Sequence, residues 1–132
     1  MKFLLIASLA LSVSALVIPG AARAADCANA TTQAAMNQCA AQELEREDKK
    51  INASYKELRS KLAPEQQNQL KEVQLAWIKY KDLACKYEAG GAEGGSVYPM
   101  VLASCLAQKT RQRNAELAAM GKCEEGDVSC RR

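Results

Sequence analysis

Six cysteines and no histidine bound the chemistry open to this chain of 132 residues. Cys27, Cys39, Cys85, Cys105, Cys123 and Cys130 include no C-x-x-C pair and fall at irregular gaps, so no metal site is expected. Without histidine there is no Ser-His-Asp triad to assemble, and no phosphate-cradling P-loop pattern is present. The paired carboxylates Glu43 and Glu47 lie on a helix face rich in lysine and arginine, where solvated salt bridges are the expected role. No catalytic residue and no cofactor site is therefore expected. What remains is disulfide formation and noncovalent binding.

Two groups of side chains could serve binding. The first is the stretch from Glu88 to Tyr98, where Gly94, Gly95, Ser96 and Tyr98 combine a closely approachable backbone with a hydroxyl and an aromatic ring. Such a loop can enter a partner's groove. It can equally be a plain hairpin connection in which Ser96 caps the next helix. The second group is polar but falls on apolar lines. Arg113 shares a helical line with Leu106, Thr110 and Leu117, and layer counting sets it opposite Trp77, with Asp82 nearby. An arginine there is expected to stack on the indole and pair with the carboxylate, unless it reaches solvent to meet an acidic partner. Asn52 and Gln74 come out at one level and are expected to form a cross-helix amide pair.

Three amphipathic helices must position these groups. The first is expected from Thr31 or Thr32, either of which can cap it, to about Leu62. Leu44, Ile51, Tyr55, Leu58 and Leu62 share one face, and Glu43, Glu45, Glu47, Lys49, Lys50 and Lys56 largely occupy the rest as a solvated surface. Ala63-Pro64-Glu65 breaks the chain and starts the second helix, expected to run to Tyr87. Its Leu70, Val73, Trp77, Tyr80, Ala84 and Tyr87 alternate steps of three and four, which predicts a core stripe with the tyrosine hydroxyls at the surface. Four glycines between Ala89 and Ser96 then end the helix. The third helix is expected from between Ser96 and Pro99 to Met120, with Leu102, Leu106, Leu117 and Met120 as its stripe and Gly121 at its end. Short connections make consecutive helices antiparallel, so the expected fold is all-α, an antiparallel three-helix bundle stapled by disulfides.

Reflecting the second helix through the glycine loop places Cys85 level with Cys105, which favours that bridge. Cys27 can fold back to Cys39, and Cys123 with Cys130 would close a polar C-terminal tail. Reflection through Ala63 also brings Cys39 near the level of Cys85, so Cys39–Cys85 remains a rival pairing.

An even cysteine count in a small chain implies an oxidising compartment. The N-terminus agrees. Lys2, the apolar run Phe3 to Ile18, the Pro19-Gly20 break and Ala22-Arg23-Ala24 form a signal peptide expected to be cut after Ala24. The run is shorter than the ~20 apolar residues that span a bilayer. Asp26 before Cys27 is not the small residue that lipid attachment would need. The expected organisation is a leader at 1–24, a helical domain at 25–120 and a disulfide-closed tail at 121–132. With 18 basic against 15 acidic residues, and Lys2 and Arg23 lost with the leader, the remainder is close to neutral. That balance argues against nucleic acid or an anionic membrane as partner.

Asp48-x-x-x-Asn52-x-x-Tyr55, followed by Gln74-x-x-Trp77-x-x-x-x-Asp82-x-x-Cys85, resembles the LprI-like N-terminal domain family of bacterial envelope proteins. Gly94-Gly95-Ser96, Cys105, Thr110-x-x-Arg113 and Leu117 continue the resemblance, which spans Cys27 to Leu117. Lys81 stands where members often carry arginine, and the tail after Met120 lies outside the pattern. The resemblance implies a non-enzymatic periplasmic or secreted protein that binds and inhibits a lysozyme or another peptidoglycan hydrolase. Lys79, Lys81, Lys86 and Arg111 are the cations available to meet the carboxylates of such an enzyme. The alternatives are an envelope adaptor or stress protein that binds another periplasmic protein or a small ligand, and an immunity protein against one secreted wall-degrading toxin.

Overall fold

The computed structural model describes residues 26–124 and 126–130, so the expected leader lies outside the described residues. Helix α1 spans Gln33–Ser60, α2 spans Pro64–Ala89 and α3 spans Tyr98–Met120. No strand occurs among the described residues, and the fold is an all-α three-helix bundle. Its local punctuation is chemical. Thr32 Oγ1 accepts the Ala35 N–H at 3.2 Å and starts α1. Pro64 opens α2, where it has no N–H to lose, and Gln66 Oε1 accepts the Ala63 N–H at 3.1 Å.

Helix α3 is the centre of the bundle. It packs along most of α1 and, less extensively, against α2, while α1 and α2 make few close backbone approaches to each other. Ile51 and Leu58 of α1, Leu70 of α2 and Leu117 of α3 form the buried cluster, with Tyr55, Leu62 and Trp77 packed against it. On α3 the buried line is Ala103, Ala107, Thr110, Arg113 and Leu117, so small side chains let the neighbouring helices approach. Met120, expected in that stripe, is instead exposed at the helix end. No helix among the described residues is long and apolar enough to cross a membrane.

Three disulfides join Cys27 to Cys39, Cys85 to Cys105 and Cys123 to Cys130, with Cα–Cα separations of 5.5, 5.6 and 5.5 Å. The first ties the N-terminal turn to α1, and the second locks the α2–α3 hairpin just below its loop. The third closes the tail, where Asp127 Oδ1 accepts from the Ser129 N–H at 2.9 Å and Gly126 takes φ +87°.

The second helix is rotated about its axis from the orientation its periodicity suggested. Tyr80 and Tyr87, expected in the core, are 61% and 88% exposed, and Val73 is 53% exposed. The inward line is Leu70, Gln74, Trp77, Lys81, Cys85 and Ala89. Two neighbouring stripes of α2 share the same spacing. The bridge from the fully buried Cys85 to Cys105 selects between them, because Cys85 must point at α3.

Candidate functional site

The glycine-rich connection is an ordered turn. Helix α2 runs on to Ala89, a 3-10 turn follows at Gly90–Ala92, and Gly94 takes φ +79°, a backbone conformation that L side chains rarely adopt. At Gly95 an added Cβ would stand 3.2 Å from the Ala92 carbonyl oxygen, a tight contact that the turn would have to relieve by a few tenths of an ångström. Backbone hydrogen bonds from Gly95 N–H to the Ala92 carbonyl (3.0 Å) and from Tyr98 N–H to the Gly95 carbonyl (3.1 Å) fold the loop on itself. Asn37 of α1 then holds it from outside, donating from Nδ2 to the Ser96 carbonyl at 3.0 Å. Ser96 does not cap α3. Val97 occupies that position with no side-chain capping bond, and the Ser96 side chain remains exposed, as do Gly94 and Gly95, while Tyr98 is half-buried. The loop therefore presents backbone and small side chains from a frame anchored by a disulfide, internal turns and Asn37.

Beside it lies a feature that the residue pattern did not reveal as a surface. Tyr80, Leu83 and Tyr87 form an outward stripe on the last turns of α2, with Leu83 58% exposed. Lys79 and Lys86 are also exposed on this segment. Lys109 Nζ lies 5.8 Å from the Tyr80 ring centroid and 2.9 Å from Glu88, whose hydrogen bond pushes the Lys109 pKa up. Large aromatics standing exposed next to a rigid loop are the composition of a protein-binding patch. The 3-4 spacing of Tyr80 and Tyr87 marks a helix face, and spacing alone does not say whether that face turns inward or outward.

The polar residues expected inside the bundle are distributed differently. Arg113 is buried, yet its partners are Gln74, whose Oε1 accepts from Nε at 3.3 Å, and Glu116, whose Oε2 accepts from Nη1 at 2.8 Å. It does not pair with Asp82. Asp82 is exposed and lies 3.8 Å from Lys81, and it is Lys81 that covers the Trp77 ring, with Nζ 5.3 Å from the centroid. Trp77 itself is half-buried against the core. The Asn52–Gln74 amide pair does not form, because Asn52 faces solvent while Arg113 engages Gln74. α1 and α2 make few close backbone approaches to each other, and each packs instead against α3.

Glu47 departs furthest from expectation. It is 1% exposed, not solvated, with Oε1 accepting from Lys50 Nζ at 2.8 Å and ion-paired with Arg111 Nε at 3.5 Å. Its neighbour Glu43 bonds both Arg46 and Arg111, and those two guanidinium hydrogen bonds hold its carboxyl below the ordinary carboxylate value. Glu47 stands one turn before Ile51 on the apolar line of α1, which marks it as inward-facing. Arg111, one of the available cations, is thus engaged across the α1–α3 interface, whereas Lys79 and Lys86 stand on the exposed side of α2. No group of three or more His, Cys, Asp or Glu that could hold a metal occurs among the described residues.

Comparison with known proteins matches residues 24–117 to the family described as lysozyme inhibitor LprI. An uncharacterized protein of Rhizobium meliloti (strain 1021) is 32% identical over 76% of this chain and 81% of its own length. No solved structure matches the chain significantly.

Proposed function

Because the chain belongs to the lysozyme inhibitor LprI family, we propose that it is exported to the periplasm and there binds and inhibits a lysozyme-type peptidoglycan glycosidase. In this reading residues 1–24 are the export signal, 25–120 the inhibitory domain and 121–132 an appended tail. The role is binding, not catalysis. The observation that carries it is the exposed pair Tyr80 and Tyr87, with Leu83 between them, beside the anchored glycine turn.

Glycosidases of this class hold an acid and a second carboxylate in an open cleft. A rigid turn with little side-chain bulk can enter such a cleft, and the α2 stripe then covers its rim. Lys79 and Lys86 flank the stripe and supply cations that steer the protein towards an acidic cleft, chiefly through the association rate. Tyrosines bury a large area at modest entropic cost, so the binding energy is expected to centre on Tyr80 and Tyr87. Pre-ordering of the turn by Cys85–Cys105 and Asn37 limits the entropy lost on docking.

The test is inhibition of cell-wall lysis by a panel of lysozymes. Saturable inhibition is expected, with Tyr87→Ala weakening it by about 30-fold, which corresponds to a hot-spot loss of about 2 kcal/mol. The pair Ser96→Ala and Tyr98→Ala separates loop from stripe. Unchanged inhibition in that variant removes the loop from the mechanism, and unchanged inhibition in Tyr87→Ala removes the stripe.

A further inference from the structure

Helix α2 carries a charge pattern along the edge of its outward face. Val73, Ala76, Tyr80, Leu83 and Tyr87 alternate steps of three and four, and all five residues are exposed. The residues just before Val73, Tyr80 and Tyr87 are Glu72, Lys79 and Lys86, and Glu65 continues that row one heptad earlier. One edge of the stripe is thus acidic in its first half and basic in its second. All four charged residues are exposed, and none has an ion-pair partner among the described residues. Glu65 and Lys86 also suit the two ends of the helix dipole, but that field fades within a turn and leaves Glu72 and Lys79 unexplained.

A row of this kind complements itself when reversed. Beside a second copy of α2 running antiparallel, Glu65 meets Lys86 and Glu72 meets Lys79, each pair occurring twice by the two-fold symmetry. The same register overlaps Pro64 to Tyr87 with itself, nearly the whole of Pro64–Ala89. The apolar stripe supplies the contact. Val73, Tyr80, Leu83 and Tyr87 are 53%, 61%, 58% and 88% exposed. At about 150–250 Å² for a whole aromatic side chain, the four offer roughly 500 Å² per copy. Two copies then remove from water about the 1,000 Å² that marks the lower bound of a specific interface. Exposed ion pairs add little affinity, so their part is to fix direction and register.

We propose that the protein forms a weak antiparallel dimer through the outward face of α2, with Glu65 and Glu72 of one copy against Lys86 and Lys79 of the other. The dimer covers the stripe that the inhibitor reading assigns to lysozyme, so the two partners exclude each other and, in that reading, the monomer is the inhibiting species. Dimerisation is measured with no lysozyme present, so the failure of either reading is seen separately.

Sedimentation equilibrium of the oxidised protein at low salt, from about 10 μM to 1 mM, tests this. Concentration-dependent dimerisation is expected within that range. Glu72→Lys sets lysine against Lys79 twice, and Lys79→Glu sets glutamate against Glu72 twice, so each variant alone should dimerise at least about tenfold more weakly. Both positions are exposed, so the fold survives. An equimolar mixture of the two variants restores every opposed pair and should associate as tightly as the wild type. A wild type that stays monomeric to about 1 mM overturns the proposal. So do single variants that dimerise as well as the wild type, or a mixture that associates no more tightly than its components.

Discussion

Replacing Glu47 with methionine should make the protein more stable, although it deletes two ion pairs. The carboxylate is 1% exposed, and its Oε2 is buried without a hydrogen-bond partner among the described residues. Leaving a buried acceptor unsatisfied costs about 1–3 kcal/mol. Against this stand the bond to Lys50, an i,i+3 helix pair of about 0.2–0.5 kcal/mol, and a longer contact to Arg111 of about 0.5 kcal/mol. Both cations are more than half exposed, and Arg111 keeps Glu43, so neither is stranded by the change. Methionine nearly matches glutamate in length and in helix propensity. The balance favours Glu47→Met by about 1 kcal/mol, which raises Tm by roughly 4–8 °C in a domain of this size. Thermal and urea unfolding of the oxidised protein would read it. A loss of 1 kcal/mol or more would refute the reasoning and would mean that the pairs with Lys50 and Arg111 outweigh the desolvation of the acid.

Three further outcomes follow from the same geometry. Replacing both Cys85 and Cys105 with serine opens a link of sequence separation 20 and should cost about 3 kcal/mol in urea unfolding, with a smaller loss expected for the separation of 7 in Cys123–Cys130. Leu117→Ala, at the one α3 leucine buried among all three helices, should cost about 3 kcal/mol, and a loss under 1 kcal/mol would show that the core is not where we place it. Glu43 has a folded pKa held below its ordinary 4.5 by Arg46 and Arg111, so its stabilisation is present above that value and is lost as the pH falls through the lowered one. Tm measured from about pH 7 to pH 3 should therefore show wild type above Glu43→Gln at neutral pH and the two converging in acid, whereas a constant gap would contradict the assignment.

Helix existence and ends were legible because they rest on local chemistry. Thr32, Pro64 and the glycines after Ala89 act on the backbone within a few residues, whatever the rest of the chain does. The level match of Cys85 with Cys105 was legible as well, since rise per residue is constant and the turn is short. The azimuth of α2 was not. Val73, Tyr80 and Tyr87 repeat with the same period as Leu70, Trp77 and Cys85, and only the bridge to α3 decides which set turns inward. That one ambiguity concealed the exposed tyrosines of the candidate site. Arg113 was recognisable as inward-facing from its line with Leu117, but its partners depend on the third helix filling the centre, a tertiary fact that no local spacing encodes. Glu47 was missed for a simpler reason. Charge outweighed position, although one turn before Ile51 its place was with the apolar residues.

The most direct test of the account is a titration of lysozyme-driven cell-wall lysis with the oxidised protein, its Tyr80→Ala/Tyr87→Ala variant and its Met120→Glu variant side by side. The account predicts saturable inhibition by the wild type, at least about a 30-fold loss in the double tyrosine variant and full retention in Met120→Glu. No inhibition of any lysozyme in the panel, or inhibition that is indifferent to both tyrosines, would contradict it.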